Sequence, residues 1–141
     1  MNGVDFLDTN ILVYSVDTSS AVKRETAQAI VIEALTSQSA IVSFQVVQEA
    51  LQVITRRART IANSKDAGSF FDDILVPLWR VQPSRELYRK ALEVQDKHRF
   101  AFYDSLVIAA ALLAGCRRLL TEDFQHGQRI EGLRIENPFR S

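Results

Sequence analysis

Short apolar runs alternate along the chain with longer segments in which apolar residues recur every three to four positions. The short runs predict strands and the longer segments predict helices. Strands are predicted over residues 4–8, 40–42, 118–121 and 133–135, with a brief further strand opening at Val81. Helices are predicted over residues 10–16, 20–35, 44–61, 84–97 and 104–114, and over a segment from about residue 64 to residue 79.

This alternation predicts an α/β domain with a central, mostly parallel sheet flanked by helices. No repeat, low-complexity stretch or linker divides the sequence, so residues 1–141 are expected to form one domain. Ligands of such sheets bind beyond the carboxyl ends of the strands. That rule directs attention to Asp8, at the end of the first strand, and to Asp123, just after the strand that ends at Thr121.

Composition narrows the class of protein. With 47% hydrophobic residues the chain can bury a sizeable core, which argues against intrinsic disorder. Its single cysteine, Cys116, cannot form an internal disulfide, and the N-terminus shows no signal-peptide pattern. The longest apolar run covers residues 106–114, whereas a membrane-spanning helix needs about 20 residues. We therefore expect a soluble cytoplasmic protein.

The charge balance leaves a nucleic-acid partner open. Seventeen basic residues match 17 acidic ones, and the resulting net charge of zero argues against such a partner. If four carboxylates bind a metal ion, however, the remaining side chains carry an excess of positive charge. Most of the basic residues are arginine, which suits phosphate contacts but is also common in Arg-rich genomes.

Acidic residues in four separate elements are the candidates for chemistry, and each has an ordinary structural explanation as well. Asp8 suits a helix cap or turn, and Asp104 in the first turn of a helix is favoured by the helix dipole. Glu49 lies just outside the predicted buried face of its helix, where solvated glutamates are common, but it has no basic partner at helical spacing. Glu122 and Asp123 compete for the fourth position.

The combination is more informative than any single acid. It offers hard oxygen ligands, with no Cys/His cluster and no nucleophile paired with a base. Such a set suits Mg²⁺ or Mn²⁺. Asp5 is excluded from the set because strand alternation directs it to the face opposite Asp8.

Taken in order, four stretches resemble the PIN-domain family, and within it the toxins of bacterial toxin–antitoxin pairs. They are FLDTNIL at residues 6–12, QE at 48–49, YDSLVIAAA at 103–111 and LTEDFQHG at 120–127. The resemblance implies a three-layer, Rossmann-like fold and a metal-dependent endoribonuclease. It also implies an RNA substrate, a homodimer and a cognate antitoxin.

The resemblance also assigns roles to residues. It implies a catalytic site of Asp8, Glu49, Asp104 and Asp123 that binds Mg²⁺ or Mn²⁺, with the three aspartates as the expected ligands. Asn10 and Thr121 match polar positions that support such a site. Glu49 is expected to act through water, as a ligand or as a base.

Three further groups have two interpretations each. Arginines near the end of the third helix could contact the RNA backbone or cap a solvated helix end; they are Arg56, Arg57 and Arg59, with Arg56 on the face that carries Glu49. His126 is either a catalytic acid or, as we expect, a loop histidine. Phe70, Phe71 and Trp79 either line an antitoxin groove or, as we expect, belong to the core.

Three rival functions remain to be weighed. A phosphoryl-transfer protein also places an aspartate after its first strand, but Asp5 and Asp8 are three residues apart instead of forming Asp-x-Asp. A receiver domain, of the same class, needs a lysine after a late strand, where this chain has Thr121 and Glu122. The second rival is a housekeeping nuclease of RNA processing, and the third is a non-catalytic module that binds RNA or protein.

Overall fold

A six-stranded sheet lies at the centre of the structure, a computed structural model that describes residues 3–56 and 64–140. The strands are β1 (Asp5–Leu7), β2 (Ala40–Ser43), β3 (Trp79–Val81), β4 (Arg118–Leu120), β5 (Arg129–Ile130) and β6 (Leu133–Glu136). Their order across the sheet is β3-β2-β1-β4-β6-β5. All neighbouring pairs are parallel except β5 with β6, which confirms the predicted α/β class with a mostly parallel sheet.

Helices flank this sheet at nearly the predicted positions. They are α1 (Thr9–Tyr14), α2 (Ala21–Ser37), α3 (Phe44–Arg56), α4 (Ser64–Phe70), α5 (Val76–Leu78), α6 (Arg85–His98) and α7 (Phe102–Leu113). Ser20 and Ser84 cap α2 and α6, where each hydroxyl accepts a hydrogen bond from a backbone N–H in the first turn. The predicted continuation of α3 over residues 57–61 lies outside the described residues.

Helix α7 is the buried central helix that its apolar sequence predicts. Its residues 105–111 are all buried. Gly115 ends it with a φ of 74°, donating to the Leu112 carbonyl, while Cys116 donates to the Ala111 carbonyl. This pair of bonds is a Schellman motif, which needs a left-handed residue at the glycine position. The motif fixes the direction in which the chain leaves α7 and enters β4.

Two segments differ from the sequence prediction. The single helix predicted over residues 64–79 is instead α4, a π-helical turn at Phe71–Leu75 and the short α5, after which Trp79 already begins β3. The short strand β5 was not predicted, because two residues cannot show alternation. It pairs with β6 through Glu131 and Gly132, whose φ angles of 50° and 92° are those of a tight hairpin turn.

The core contains the aromatic residues of the 64–79 segment. Phe70 is 6% exposed and belongs to the main hydrophobic cluster, while Phe71 and Trp79 are partly buried against it. These side chains therefore stabilise the fold, as expected of core residues, and do not form an open groove. Within the ranges 3–56 and 64–140, no helix combines the length and the apolar character that crossing a membrane requires.

Candidate functional site

Asp8 lies at the carboxyl end of β1, the strand between β2 and β4. It is the N-cap of α1, and its Oδ1 accepts a hydrogen bond of 2.7 Å from the Thr9 backbone N–H. The Oδ2 atom accepts a second bond, 2.8 Å long, from the Thr121 hydroxyl at the end of β4. The residue is only 5% exposed. Asp8 therefore caps α1 and also lies at the edge of the sheet where ligands of parallel sheets bind.

Burial makes the ionised form of Asp8 costly. Loss of solvent is the main reason that the pKa of its carboxyl rises to about 6, and the negative charges of Asp123 and Glu49 add to the rise. The hydrogen bonds from Thr121 and Thr9 oppose it only partly. A cation bound nearby would therefore stabilise the ionised form of Asp8.

Glu49 on α3 is half-buried and hydrogen-bonded, unlike an ordinary solvated helix glutamate. Its Oε1 accepts a 2.6 Å hydrogen bond from the Thr9 hydroxyl. Its Oε2 accepts a 3.2 Å bond from the side-chain amide of Gln45. Both donors are neutral, so the carboxylate is held in place without being neutralised.

Gln45 is a site residue that the sequence did not reveal. Only 4% of it is exposed, and its Nε2 donates both to Glu49 and, over 3.1 Å, to the Tyr103 carbonyl in the first turn of α7. One amide thus connects the helix of Glu49 to the helix of Asp104. The buried face of α3 is slightly rotated from the predicted face, and that rotation carries Gln45 inside. Its i,i+4 spacing from Glu49 was the available signal.

Asp104 lies in the first turn of α7, at the rim of the molecule. Asp104 is exposed, but its carboxyl still loses some of its contact with solvent. This loss, followed by the negative charges of Asp123 and Glu49, raises the pKa of the carboxyl. The N-cap of α7 is Ala101, which offers no side-chain bond to the helix. In the described part of the chain no hydrogen bond or ion pair engages the Asp104 carboxylate, which leaves both oxygens available to a ligand.

The contacts of the 121–127 loop distinguish Asp123 from Glu122. Glu122 accepts hydrogen bonds from the Tyr14 hydroxyl at 2.5 Å and from Lys23 Nζ at 3.0 Å, so its carboxylate is already paired. Asp123 instead contacts Asn10, whose Nδ2 lies 3.1 Å from the Asp123 Oδ2. Of the two acids, Asp123 is the one whose charge raises the pKa of Asp8 and of Asp104.

Asn10 and Thr121 connect these acids by hydrogen bonds. The Asn10 amide donates to the Thr121 hydroxyl over 3.3 Å as well as to Asp123. The Thr121 hydroxyl in turn donates to Asp8 and accepts from the Asp123 backbone N–H. The two residues therefore fix the Asp123 loop against the end of β1.

Other predicted residues are not part of this group. Arg56 is exposed at the end of α3 and has no hydrogen bond or ion pair among the described residues. Arg57 and Arg59 lie outside the described residues. The His126 Nδ1 accepts a hydrogen bond from the Asn137 backbone N–H, the contact of an ordinary loop histidine. Asp5 points away from the site and pairs with Arg117 and Arg118, which confirms its exclusion.

The four acids form an uncompensated negative group. Asp8, Glu49, Asp104 and Asp123 are near enough for their charges to raise the pKa of Asp8 and Asp104, and none pairs with a cation in residues 3–56 and 64–140. In the same ranges, however, no three His, Cys, Asp or Glu side chains stand close enough together to hold one metal ion as they are placed.

The chemistry of the group nevertheless fits a hard divalent cation. All its donors are oxygens, and two further buried amide oxygens, Asn10 Oδ1 and Gln45 Oε1, have no hydrogen-bond partner. Mg²⁺ and Mn²⁺ prefer such donors and usually retain several waters, so they need few direct protein ligands.

Comparison with protein families gives one match that spans most of the chain. The PIN domain family matches residues 6–129, a range that contains all four acids. No curated protein is similar enough in sequence to match.

Several solved structures share the fold. A toxin–antitoxin complex from Klebsiella pneumoniae superposes with a TM-score of 0.67 at 16% identity, covering 97% of this chain and 99% of that one. VapBC2 from Rickettsia felis, bound to a DNA fragment of its promoter, gives 0.67 at 18% identity, covering 95% and 98%. The Mycobacterium tuberculosis toxin VapC20, which cleaves the sarcin–ricin loop, gives 0.61 at 19% identity, covering 82% and 86%.

Proposed function

The chain belongs to the PIN-domain family, and from this premise we propose that it is a metal-dependent endoribonuclease, the toxin of a toxin–antitoxin pair. The observation that carries the proposal is the group of four carboxylates, Asp8, Glu49, Asp104 and Asp123. In the described residues this group has no cationic partner, and the pKa values of the Asp8 and Asp104 carboxyls are raised. Such a group repels an RNA phosphate unless positive charge is supplied.

Mg²⁺ or Mn²⁺ is the proposed source of that charge, with Asp8, Asp104 and Asp123 as its proposed ligands. Because three such side chains in the described part of the chain are not close enough as placed to share an ion directly, the proposed binding includes bridging waters or a small movement of the exposed Asp104 side chain. When bound, such an ion lowers the pKa of a coordinated water and neutralises charge on the phosphoryl oxygens. Thr121 holds the Asp8 carboxylate by its hydrogen bond, and Asn10 holds that of Asp123. These bonds keep two proposed ligands oriented before any ion arrives.

Glu49 is proposed to orient the attacking water and accept its proton. Its two carboxylate oxygens are fixed by the Thr9 hydroxyl and the Gln45 amide, neither of which carries charge. Hydrogen bonds to these two donors fix the direction of the carboxylate, which a general base needs in order to reach the attacking water. Arg56, exposed on the same helix, is proposed to contact the RNA backbone.

The partners are proposed from the structural likenesses. The Klebsiella pneumoniae structure is a toxin–antitoxin complex, and it and the Rickettsia felis VapBC2 structure are each matched over nearly their whole length. The likeness to VapC20, a toxin that cleaves the sarcin–ricin loop, supports RNA as the substrate. We accordingly propose a cognate antitoxin, a homodimer and an action in the cytoplasm.

Purified protein incubated with RNA and Mg²⁺ tests the nuclease proposal. We expect cleavage that EDTA abolishes and added Mg²⁺ restores, and near-background cleavage by Asp8→Asn and by Asp104→Asn. Asp96→Asn is the matched control, because Asp96 is an exposed aspartate on α6 outside the acidic group, and it should cleave like the wild type. Undiminished cleavage by both site variants would contradict the assignment, and RNA binding without cleavage would indicate a non-catalytic module.

The toxin role has a test of its own. Expression of the wild type should arrest growth, and co-expression of a small protein encoded beside it should relieve the arrest. Growth unaffected by active enzyme would favour a housekeeping nuclease of RNA processing.

A further inference from the structure

Tyr103 is a large aromatic side chain left in solvent beside the acidic group. Its residue is 66% exposed, more than any other described aromatic residue. It immediately precedes Asp104 in the first turn of α7. Most of the other aromatic rings in the described residues are at least half-buried. The exposed ring therefore offers an aromatic face to a ligand beside Asp104.

The main chain that carries this ring is rigid. The Tyr103 carbonyl accepts the hydrogen bond from the buried Gln45 amide, and the residue lies within a regular helical turn. The ring also packs edge-to-face on Phe102, with 5.5 Å between centroids. A ring that is already positioned loses little conformational freedom when a ligand stacks on it.

Aromatic side chains also connect the two loops that frame the acids. Phe124, the residue after Asp123, packs edge-to-face on Phe100, with 5.4 Å between centroids. Phe100 in turn stacks near His98, with 6.1 Å between centroids. Phe100 lies in the short connection between α6 and α7, so the start of α7 and the Asp123 loop share one aromatic border.

We propose that Tyr103 is a stacking platform for an unpaired nucleobase of the RNA substrate, next to the nucleotide whose phosphate reaches the acidic group. The inference rests on the nuclease function proposed above and adds the form of RNA that the site takes. The acidic group has no positive charge of its own to attract the phosphate backbone, so an uncharged contact beside it would add to the binding of RNA. A nucleobase offers its face to an aromatic ring only when it is unpaired and unstacked, which excludes continuous duplex.

Fluorescence of a Tyr103→Trp variant tests the contact directly. The wild type contains one tryptophan, Trp79, which is partly buried and donates to the Val81 carbonyl. Its emission is a background signal that the protein with native Tyr103 measures separately. In an Asp8→Asn background, which prevents cleavage, short single-stranded RNA with Mg²⁺ should quench the added tryptophan. The same RNA should leave the emission of the Asp8→Asn protein with native Tyr103 unchanged.

Affinity measurements separate stacking from charge. In the same background, Tyr103→Ala should weaken binding of single-stranded RNA roughly ten-fold, whereas Tyr103→Phe should retain it. The factor should be equal at low and high salt, because stacking releases no counterions, unlike a backbone contact. Tyr88→Ala is the matched control, since Tyr88 is a partly exposed tyrosine on α6, and it should leave the affinity unchanged.

Several results would overturn the inference. One is RNA cleavage by Tyr103→Ala at wild-type kcat/KM together with no quenching of the added tryptophan. Another is a change of oligomeric state in Tyr103→Ala with unchanged RNA affinity, which would make Tyr103 a protein–protein contact. The nuclease proposal fails separately, if wild-type protein does not cut RNA while the added tryptophan is still quenched.

Discussion

Replacing Asp8 by asparagine is expected to stabilise the metal-free protein while it abolishes activity. The pKa of the Asp8 carboxyl rises from 3.8 to about 6 in the folded state. The folded protein therefore binds this proton more tightly than the unfolded chain does. The stability that Asp8 contributes is complete below about pH 3.8 and is lost as the pH rises through about 6.

The size of the effect follows from the shift. A difference of about two pKa units corresponds to about 3 kcal/mol of unfolding free energy lost by the ionised form above pH 7. Asparagine imitates the neutral acid at every pH, but its Nδ2 cannot accept the bond from the Thr121 hydroxyl, which costs about 1 kcal/mol. A net gain of about 2 kcal/mol remains for Asp8→Asn at pH 8, equivalent to a Tm increase of roughly 6 °C.

Thermal unfolding in EDTA at pH 4.5, 6 and 8 measures this effect. The Tm advantage of Asp8→Asn should grow with pH, while the control Asp96→Asn should show no such trend. Added Mg²⁺ should raise the Tm of the wild type alone, because an ion bound only to the folded state stabilises it. If Asp8→Asn is no more stable than the wild type at pH 8 in EDTA, and the Tm difference does not depend on pH, then burial of the ionised Asp8 carboxyl does not destabilise the fold.

Three further substitutions test other parts of the structure. Asp5→Asn should lower the unfolding free energy by about 2 kcal/mol without changing cleavage, because Arg118 loses a two-bond ionic partner that is not a member of the acidic group. Urea unfolding measures the first effect and an RNA cleavage assay the second. Gln45→Met should reduce kcat several-fold with little change of Tm, because Glu49 loses a hydrogen-bond donor while the buried volume is kept. A large fall of Tm alongside the fall of kcat would indicate that the amide serves only the stability of the fold. Gly115→Ala should lower the unfolding free energy by about 1 kcal/mol, because a φ of 74° strains alanine even though nothing lies within 4 Å of an added Cβ. An unchanged midpoint of urea unfolding would contradict that cause.

The sequence predicted the parts of the fold that local signals determine. The apolar periodicities of α3, α6 and α7 predicted these helices, because each pattern lies within the element that it defines. Asp8 and Asp123 became candidates by the same means, because Asp8 ends an apolar strand and Asp123 closely follows another. The supporting role of Thr121 came from the resemblance to the PIN-domain family. Residues 57–61 of the predicted third helix remain a prediction, since they lie outside the described part.

The sequence could not predict features decided by distant contacts. Glu122 and Asp123 are neighbours of the same charge, and only the positions of Tyr14 and Lys23, about a hundred residues earlier, decide which of them is paired. Gln45 likewise looks in the sequence like any polar residue of a helix, and only its contact with the start of α7 distinguishes it. Hydrophobic periodicity carries no information about such partners.

Hydrogen bonds between the start and the end of the chain determine when the acidic group can assemble during synthesis. Asp8 is held by Thr121, and Asn10 holds Asp123, each across 113 residues of sequence. Strand β6, which pairs with β4 on this side of the sheet, is made later still. A ribosome that has synthesised most of the protein therefore carries a polypeptide whose acidic group is not yet assembled, so any activity of that group can begin only when translation is nearly finished.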